Sequence, residues 1–208
     1  MKRTFVFLCL VIFLGLVFTY QSPFLAYFDV KILLFFEDMR TPFLNGLFTI
    51  ITTIGSIKVL FPLCICVSIY LVFKKYYAEV ICLWILFWSS RGLNFILKKW
   101  IERERPAFHP LIEIGEYSFP SGHSMNAIVV IGFLCYLLTT NFVINKTWRS
   151  SWFLITGIII LLIVLSRLYL GVHYLTDVVA GLCIGYLLLV FFLHFFPSVR
   201  KKWLADRR

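Results

Sequence analysis

Two histidines and one aspartate carry the most reactive chemistry in this chain. Asp177 follows His173 by four residues, so on a helix the two share a face one turn apart, at a rise of about 6 Å. A carboxylate so placed accepts one ring N–H of His173, fixes the tautomer and leaves the other nitrogen's lone pair free to attack. His123 is a second imidazole, suited to serve as acid toward a leaving group. Lys98, Arg105 and Arg167 are cations that can converge on one anion. A guanidinium fork matches phosphate oxygens bidentately, and an ammonium adds a point charge. Ser121 and Gly122 open an apolar run. A helix starting there offers free backbone N–H groups and the positive end of its dipole, and glycine lets an anion come close.

These residues fall into three polar islands, and elsewhere polar residues are scarce. The islands are Lys98–Pro106, Phe119–Ser124 and Ser166–Asp177. The 208 residues are 61% hydrophobic and only 14% charged, and the mean hydropathy is +0.92. Soluble domains carry roughly 25% charged residues, so this composition excludes a soluble globular protein, a disordered chain and a collagen-like one. The net charge of +10 points to anionic lipid headgroups and topology signals rather than to nucleic acid.

Six apolar runs are long enough to approach a bilayer's thickness: Thr4–Tyr20, Ile57–Phe73, Tyr76–Leu97, Ser124–Thr140, Ser151–Leu168 and His173–Phe196. All are expected to be helices, because lipid offers no partner to an unpaired backbone group. The expected fold class is therefore all-α, a polytopic membrane protein of six transmembrane helices in one domain over 1–208. With both termini in the cytoplasm, 11 of the 20 basic residues lie inside, Lys2, Arg3, Lys74, Lys75, Arg207 and Arg208 among them. That orientation places all three islands at the outer face. Lys2 and Arg3 before an apolar run with no small-x-small cleavage site read as an uncleaved signal anchor.

Residues 22–56 read as an outer amphipathic segment, with phenylalanines at helical spacing among Asp29, Lys31, Glu37, Asp38 and Arg40. Thr41-Pro42 should break it and start a second helix. It is either a platform beside a lipid substrate or simply a cover over the bundle. The six cysteines all fall in the spans and read as small buried apolar residues. Asn145-Lys146-Thr147 matches a glycosylation acceptor but falls in a loop placed inside, where it goes unused.

In order along residues 98–177 the chain reads Lys98-x6-Arg105-Pro106, then Pro120-Ser121-Gly122-His123, then Ser166-Arg167-x5-His173-x3-Asp177. This pattern resembles the type 2 phosphatidic acid phosphatase (PAP2) superfamily, with every motif position matched. Each motif alone is weak, but three in order on one expected face are a strong signal. The resemblance implies a PAP2-type helical bundle. It also implies a mechanism in which His173 attacks phosphorus to form a phosphohistidine, Asp177 orients it, and His123 protonates the leaving oxygen and later activates water. Lys98, Arg105, Arg167, Ser121 and Gly122 would hold the phosphate. No cofactor and no metal are implied, and the chain lacks the carboxylate cluster a two-metal phosphatase needs.

Other polar residues have plainer readings. His109 and His194 read as structural, Lys99 and Arg103 as interfacial anchors or solvated loop charges, and Glu102, Glu104, Glu113 and Glu116 as loop solvation. Arg91 lies seven residues before Lys98, on roughly the same helix face. It touches a second phosphate, braces the motif acids or snorkels toward headgroups. The expected partners are a lipid phosphate or diphosphate substrate and membrane lipids, with no nucleic acid. Undecaprenyl diphosphate comes slightly ahead of phosphatidylglycerol phosphate, since an outward site suits carrier recycling. The alternative is a non-catalytic lipid binder or transporter on the same fold. That alternative has no need of an oriented nucleophile beside an acid.

Overall fold

The computed structural model describes residues 3–107, 109–112, 115–141 and 146–205. It is all helical among them, apart from one isolated antiparallel bridge between Glu104 and Tyr117. In chain order the helices are α1 (Arg3–Thr19), α2 (Pro23–Asp38), α3 (Pro42–Ile54), α4 (Ile57–Phe73), α5 (Tyr77–Ile101), α6 (Gly122–Asn126), α7 (Gly132–Asn141), α8 (Lys146–Tyr169) and α9 (Leu175–Ala205). A π-helical turn over Ala127–Ile131 joins α6 to α7. Asn145, and with it the glycosylation acceptor, lies outside the described residues, as do Lys2, Glu113, Arg207 and Arg208.

Four stretches are long and apolar enough to cross a membrane unaided: Tyr77–Ile101, Gly122–Thr140, Trp148–Tyr169 and Leu175–Phe196. The count reaches six when each of two bent pairs is one span, α1 with α2 at 99° and α3 with α4 at 42°. Local chemistry explains the breaks. Ser22 caps α2 with its side chain on the Leu25 N–H, and Pro23 follows at the first helical position. Thr41 caps α3 on the Leu44 N–H, followed by Pro42, so the Thr-Pro break falls where the sequence places it. Residues 22–56 are thus two helices rather than one surface segment, and both pack against α8.

Helix ends meet at one end of the bundle: the C-termini of α1, α5 and α8 and the N-termini of α3, α6 and α9. Tyr20 stacks on Phe119 there at 5.6 Å. α9 lies against both α1 and α6. Its approach to α6 is close because Gly181 and Gly185 face it: a Cβ at 181 would stand 2.6 Å from the Ser121 carbonyl oxygen, and one at 185 would stand 2.3 Å from Ile128. Small residues at helix contacts do this work in lipid, where no hydrophobic force separates core from surroundings. The inner core of α4, α5, α7 and α9 is apolar, with Leu60, Leu83, Leu86, Phe87 and Phe133 buried. The outer surface is apolar too, with Phe18 80% and Phe73 82% exposed, as a lipid-facing surface should be. The cysteines are free. Five are buried, but Cys66 is exposed, because Cys64 takes the core-facing side of α4 two residues away.

Candidate active site

The three islands meet at that end of the bundle. α8 ends at Tyr169, and a short turn with Gly171 in the left-handed region (φ 71°) reverses the chain into α9. α9 begins at Leu175, later than the sequence span, so His173 stands in the turn outside the membrane-spanning helix. Asp177 is the third residue of α9. Its Oδ2 accepts the Tyr174 N–H at 2.9 Å, which caps the helix start, and faces His173 Nδ1 at 3.4 Å. His173 Nε2 lies 3.2 Å from Arg105 Nη1. The aspartate therefore takes the Nδ1 side of the ring, and Nε2 is left as the nitrogen with a lone pair, turned toward a cation.

His173 is 2% exposed. Burial holds its pKa well below the ordinary imidazole value, and the charges of Arg167, Arg105 and Lys98 push the same way. The ring is consequently neutral near pH 7, the state a nucleophile needs.

The cations arrive from three elements. Lys98 sits in the last turn of α5 and donates from Nζ to the Tyr117 carbonyl. α5 stops at Glu102 (φ 49°), and the chain then turns back on itself, with the Ser118 N–H bonded to the Arg103 carbonyl at 2.8 Å. This turn carries Arg105, whose Nε donates to the Gly115 carbonyl and whose Nη1 donates to the Val172 carbonyl at 2.7 Å. Arg167, in the last turn of α8, is 1% exposed and donates from Nη1 to Thr52 Oγ1 at the end of α3. Its Nε and Nη2 are buried without a partner among the described residues. An unpaired buried donor costs about 1–3 kcal/mol, and more when charged. The Nε–Nη2 edge left over is the edge of a guanidinium whose geometry matches a bidentate anion.

His123 follows Gly122 at the start of α6, within electrostatic reach of Arg167, His173, Arg105 and Lys98. Asn94 holds this start in place with its Nδ2 on the Pro120 carbonyl at 3.0 Å. A Cβ at 122 would lie 2.9 Å from Asn94 Oδ1, so a larger residue there would have to displace the Asn94 amide from this bond. Ser121 differs from the expected phosphate seat in one respect. Its backbone N–H donates to the Asp177 carbonyl at 2.9 Å, and its Oγ accepts from the Ser124 N–H and Oγ–H. Its role in the structure is to cap α6 and tie it to α9. The unpaired backbone donors begin at Gly122.

Arg103 is placed quite differently from a solvated loop charge. Its side chain is 10% exposed and forms ion pairs with Asp177 Oδ1 at 2.6 Å and Asp29 Oδ2 at 2.8 Å. Its guanidinium also lies between the rings of Tyr174, at 4.2 Å, and Tyr20, at 5.0 Å. Asp29, from α2, is 1% exposed and additionally accepts the Thr176 N–H at 3.0 Å and hydroxyl at 2.6 Å. An aspartate this deep in an apolar helix is itself a signal that a cation waits for it. Thr52 gives no comparable signal. Of the remaining candidates, His109 is exposed and pairs with Glu37 at 2.9 Å, while Lys99 lies over the Tyr117 ring at 5.3 Å. His194 packs beside Phe195 on α9, far from the site in sequence. Among the described residues no group of three or more His, Cys, Asp or Glu side chains stands where it could hold a metal ion.

A buried histidine–aspartate pair ringed by cations, at one end of a helical membrane bundle, defines a class of membrane protein that acts on phosphate groups. The model of the PAP2 superfamily matches residues 58–201, and the chain belongs to that family. It is 39% identical over 155 residues to phosphatidylglycerophosphatase B of Bacillus subtilis, a match covering 74% of this chain and 75% of that one. Its fold superposes on the crystal structure of a transmembrane PAP2 type phosphatidylglycerolphosphate phosphatase from the same organism. The TM-score is 0.89 at 33% identity, over 93% of this chain and 96% of that one. A shorter similarity, 34% over 96 residues, links it to an undecaprenyl-diphosphatase of Sulfolobus acidocaldarius, covering 46% of this chain and 37% of the relative.

Proposed function

We propose that this membrane protein hydrolyses a lipid phosphate or diphosphate through a phosphohistidine, at the extracytoplasmic face. The observation that carries the reading is the opposition of two features. His173 is neutral and oriented by Asp177, and beside it two buried N–H groups of Arg167 lack a protein partner. A phosphoryl group between them meets a nucleophile on one side and fixed donors on the other.

In the first step His173 Nε2 forms a bond to phosphorus, and the bond from phosphorus to the lipid oxygen breaks. His123 gives its proton to that oxygen. In the second step His123 takes a proton from water, the water oxygen bonds to phosphorus, and the P–N bond breaks with its electrons returning to Nε2. Arg105, Arg167, Lys98 and the N–H groups from Gly122 hold the equatorial oxygens, with Ser121 supporting them from the cap position. Arg105 leaves Nε2 for the phosphate as substrate arrives.

The relatives favour phosphatidylglycerol phosphate over undecaprenyl diphosphate, since the proteins named for the former match most of the chain and the one named for the latter less than half. In this reading both termini lie on the cytoplasmic side, opposite the site.

Phosphate release by the purified protein with EDTA present, from a panel of lipid mono- and diphosphates, tests it beside His173→Ala. The expected result is EDTA-resistant release that falls to background in the variant. The absence of release from every lipid by folded wild-type protein would reject the enzyme in favour of a lipid binder or transporter.

A further inference from the structure

Two small cavities lie side by side along α5. One, of about 210 Å³, is lined by Phe95, Lys98, Lys99, Arg105, Glu116 and Tyr117 and so includes two cations of the candidate site. The other, of about 160 Å³, is lined by Arg91, Asn94, Phe95, Lys98 and Asn126. Phe95 and Lys98 belong to both, so the cavities share a wall. Nothing in the reaction so far uses the second.

Its lining is unusual for the middle of a membrane helix. Arg91 is half-buried, and among the described residues it forms no ion pair and no side-chain hydrogen bond. A charge at this depth is costly without a counter-charge. Lys98 adds a second cation on the same face, two turns on, about 10 Å along the axis. Asn126 turns Oδ1 to the Ser90 hydroxyl at 3.0 Å, which leaves its N–H donors over. Asn94 likewise uses one donor on the Pro120 carbonyl. The cavity is therefore rich in donors and positive charge and has no carboxylate in its lining. Phe95, 63% exposed, stands at the rim, where a lipid approaching from the bilayer would pass.

We propose that the Arg91–Asn94–Asn126 cavity binds a second phosphate of the lipid substrate while the first is transferred to His173. The inference rests on the phosphatase reading above. The class of substrate it selects is a lipid whose scissile phosphate is followed by another, either bonded directly as in a diphosphate or set off by a short linker as a phosphodiester. Lys98, on the shared wall, touches both groups.

The test compares kcat/KM for three lipids: phosphatidate, with one phosphate; phosphatidylglycerol phosphate, with a separate phosphodiester; and a prenyl diphosphate. The wild type should prefer one or both of the two-phosphate lipids over phosphatidate. Arg91→Gln should lower that preference about tenfold or more, the loss of one charge-assisted hydrogen bond. Arg91→Lys should restore part of it. Whichever two-phosphate lipid loses its advantage identifies which kind of second phosphate the cavity takes. Asn126→Asp, which sets a carboxylate in the cavity, should lower the same ratio and serves if Arg91→Gln does not fold. A ratio unmoved by either substitution, in protein that still releases phosphate, overturns the second-phosphate site alone. A wild type that releases phosphate from none of the three lipids overturns the phosphatase reading with it.

Discussion

The two sides of His173 differ in how their charge is settled. On the Nδ1 side, Asp177, Arg103 and Asp29 form a chain of buried charges in which each has a partner: one guanidinium bridges two carboxylates, at 2.6 and 2.8 Å. On the Nε2 side, Arg105, Arg167 and Lys98 gather without an ion pair among the described residues, and Nε and Nη2 of Arg167 go unpaired. The first side finds its partners within the protein, whereas the second is the side on which the proposed function places the phosphate. The two sides are thus told apart by whether their charged groups are partnered, even though both are buried and both use arginine.

Substitutions that remove an arginine should separate the sides most strongly. Arg103→Ala strands two buried aspartates, and breaking a buried pair in this way costs about 3–5 kcal/mol. Thermal unfolding in detergent should show a large loss of stability with and without ligand. Retention of the wild-type Tm would mean that water or another cation settles those carboxylates. Arg167→Met should act in the opposite direction. It replaces an uncompensated buried cation by an apolar chain, so the unliganded protein should hold or gain stability. Its kcat/KM should nevertheless fall about 10²–10³-fold, as when a donor to the developing charge is lost. A loss of stability matching that of Arg103→Ala would erase the distinction.

A milder change sharpens it. Arg103→Lys keeps the charge but not the fork, and one ammonium reaches two carboxylates and the Thr176 hydroxyl less well than a guanidinium. A cost of about 1–3 kcal/mol is expected, roughly that of a hydrogen bond to a charged group. Equal Tm values for Arg103→Lys and wild type would show that charge alone, without geometry, holds Asp177.

The binding side was legible in the chain and the structural side was not, for a physical reason. The step of four from His173 to Asp177 translates directly into proximity at a helix start, and His123 and Arg167 stand in ordered motifs whose polarity is conspicuous in an apolar chain. Arg103 sits in the run Glu102-Arg103-Glu104-Arg105, where alternating charges give no period to show which one turns inward. Its partner Asp29 lies 74 residues away on α2, beyond a 99° bend that no local pattern sets. The helices themselves could be read because lipid demands long apolar runs. What the segment over residues 22–56 does could not, since packing on α8 and supplying Asp29 and Thr52 depend on tertiary placement.

The smallest expected effect concerns pH and tests the uncompensated side without removing a cation. The pKa of His173 is lowered by burial first and then by Arg167, Arg105 and Lys98. A histidine whose folded pKa is depressed binds its proton more readily once unfolded. Stability is therefore fully present above the unfolded value of about 6.5 and is lost as pH falls below it, at up to about 1.4 kcal/mol per pH unit for one proton. Inorganic phosphate at saturation puts negative charge among the three cations and removes part of the cause, so it should flatten the slope as well as raise Tm. His173→Gln, which has nothing to titrate there, should reduce the slope by one proton's share without phosphate. Unfolding measured from pH 7.5 to 5.5 with and without phosphate decides the matter. A slope that phosphate leaves untouched would mean that burial alone sets the pKa and that the cations do not act on the nucleophile.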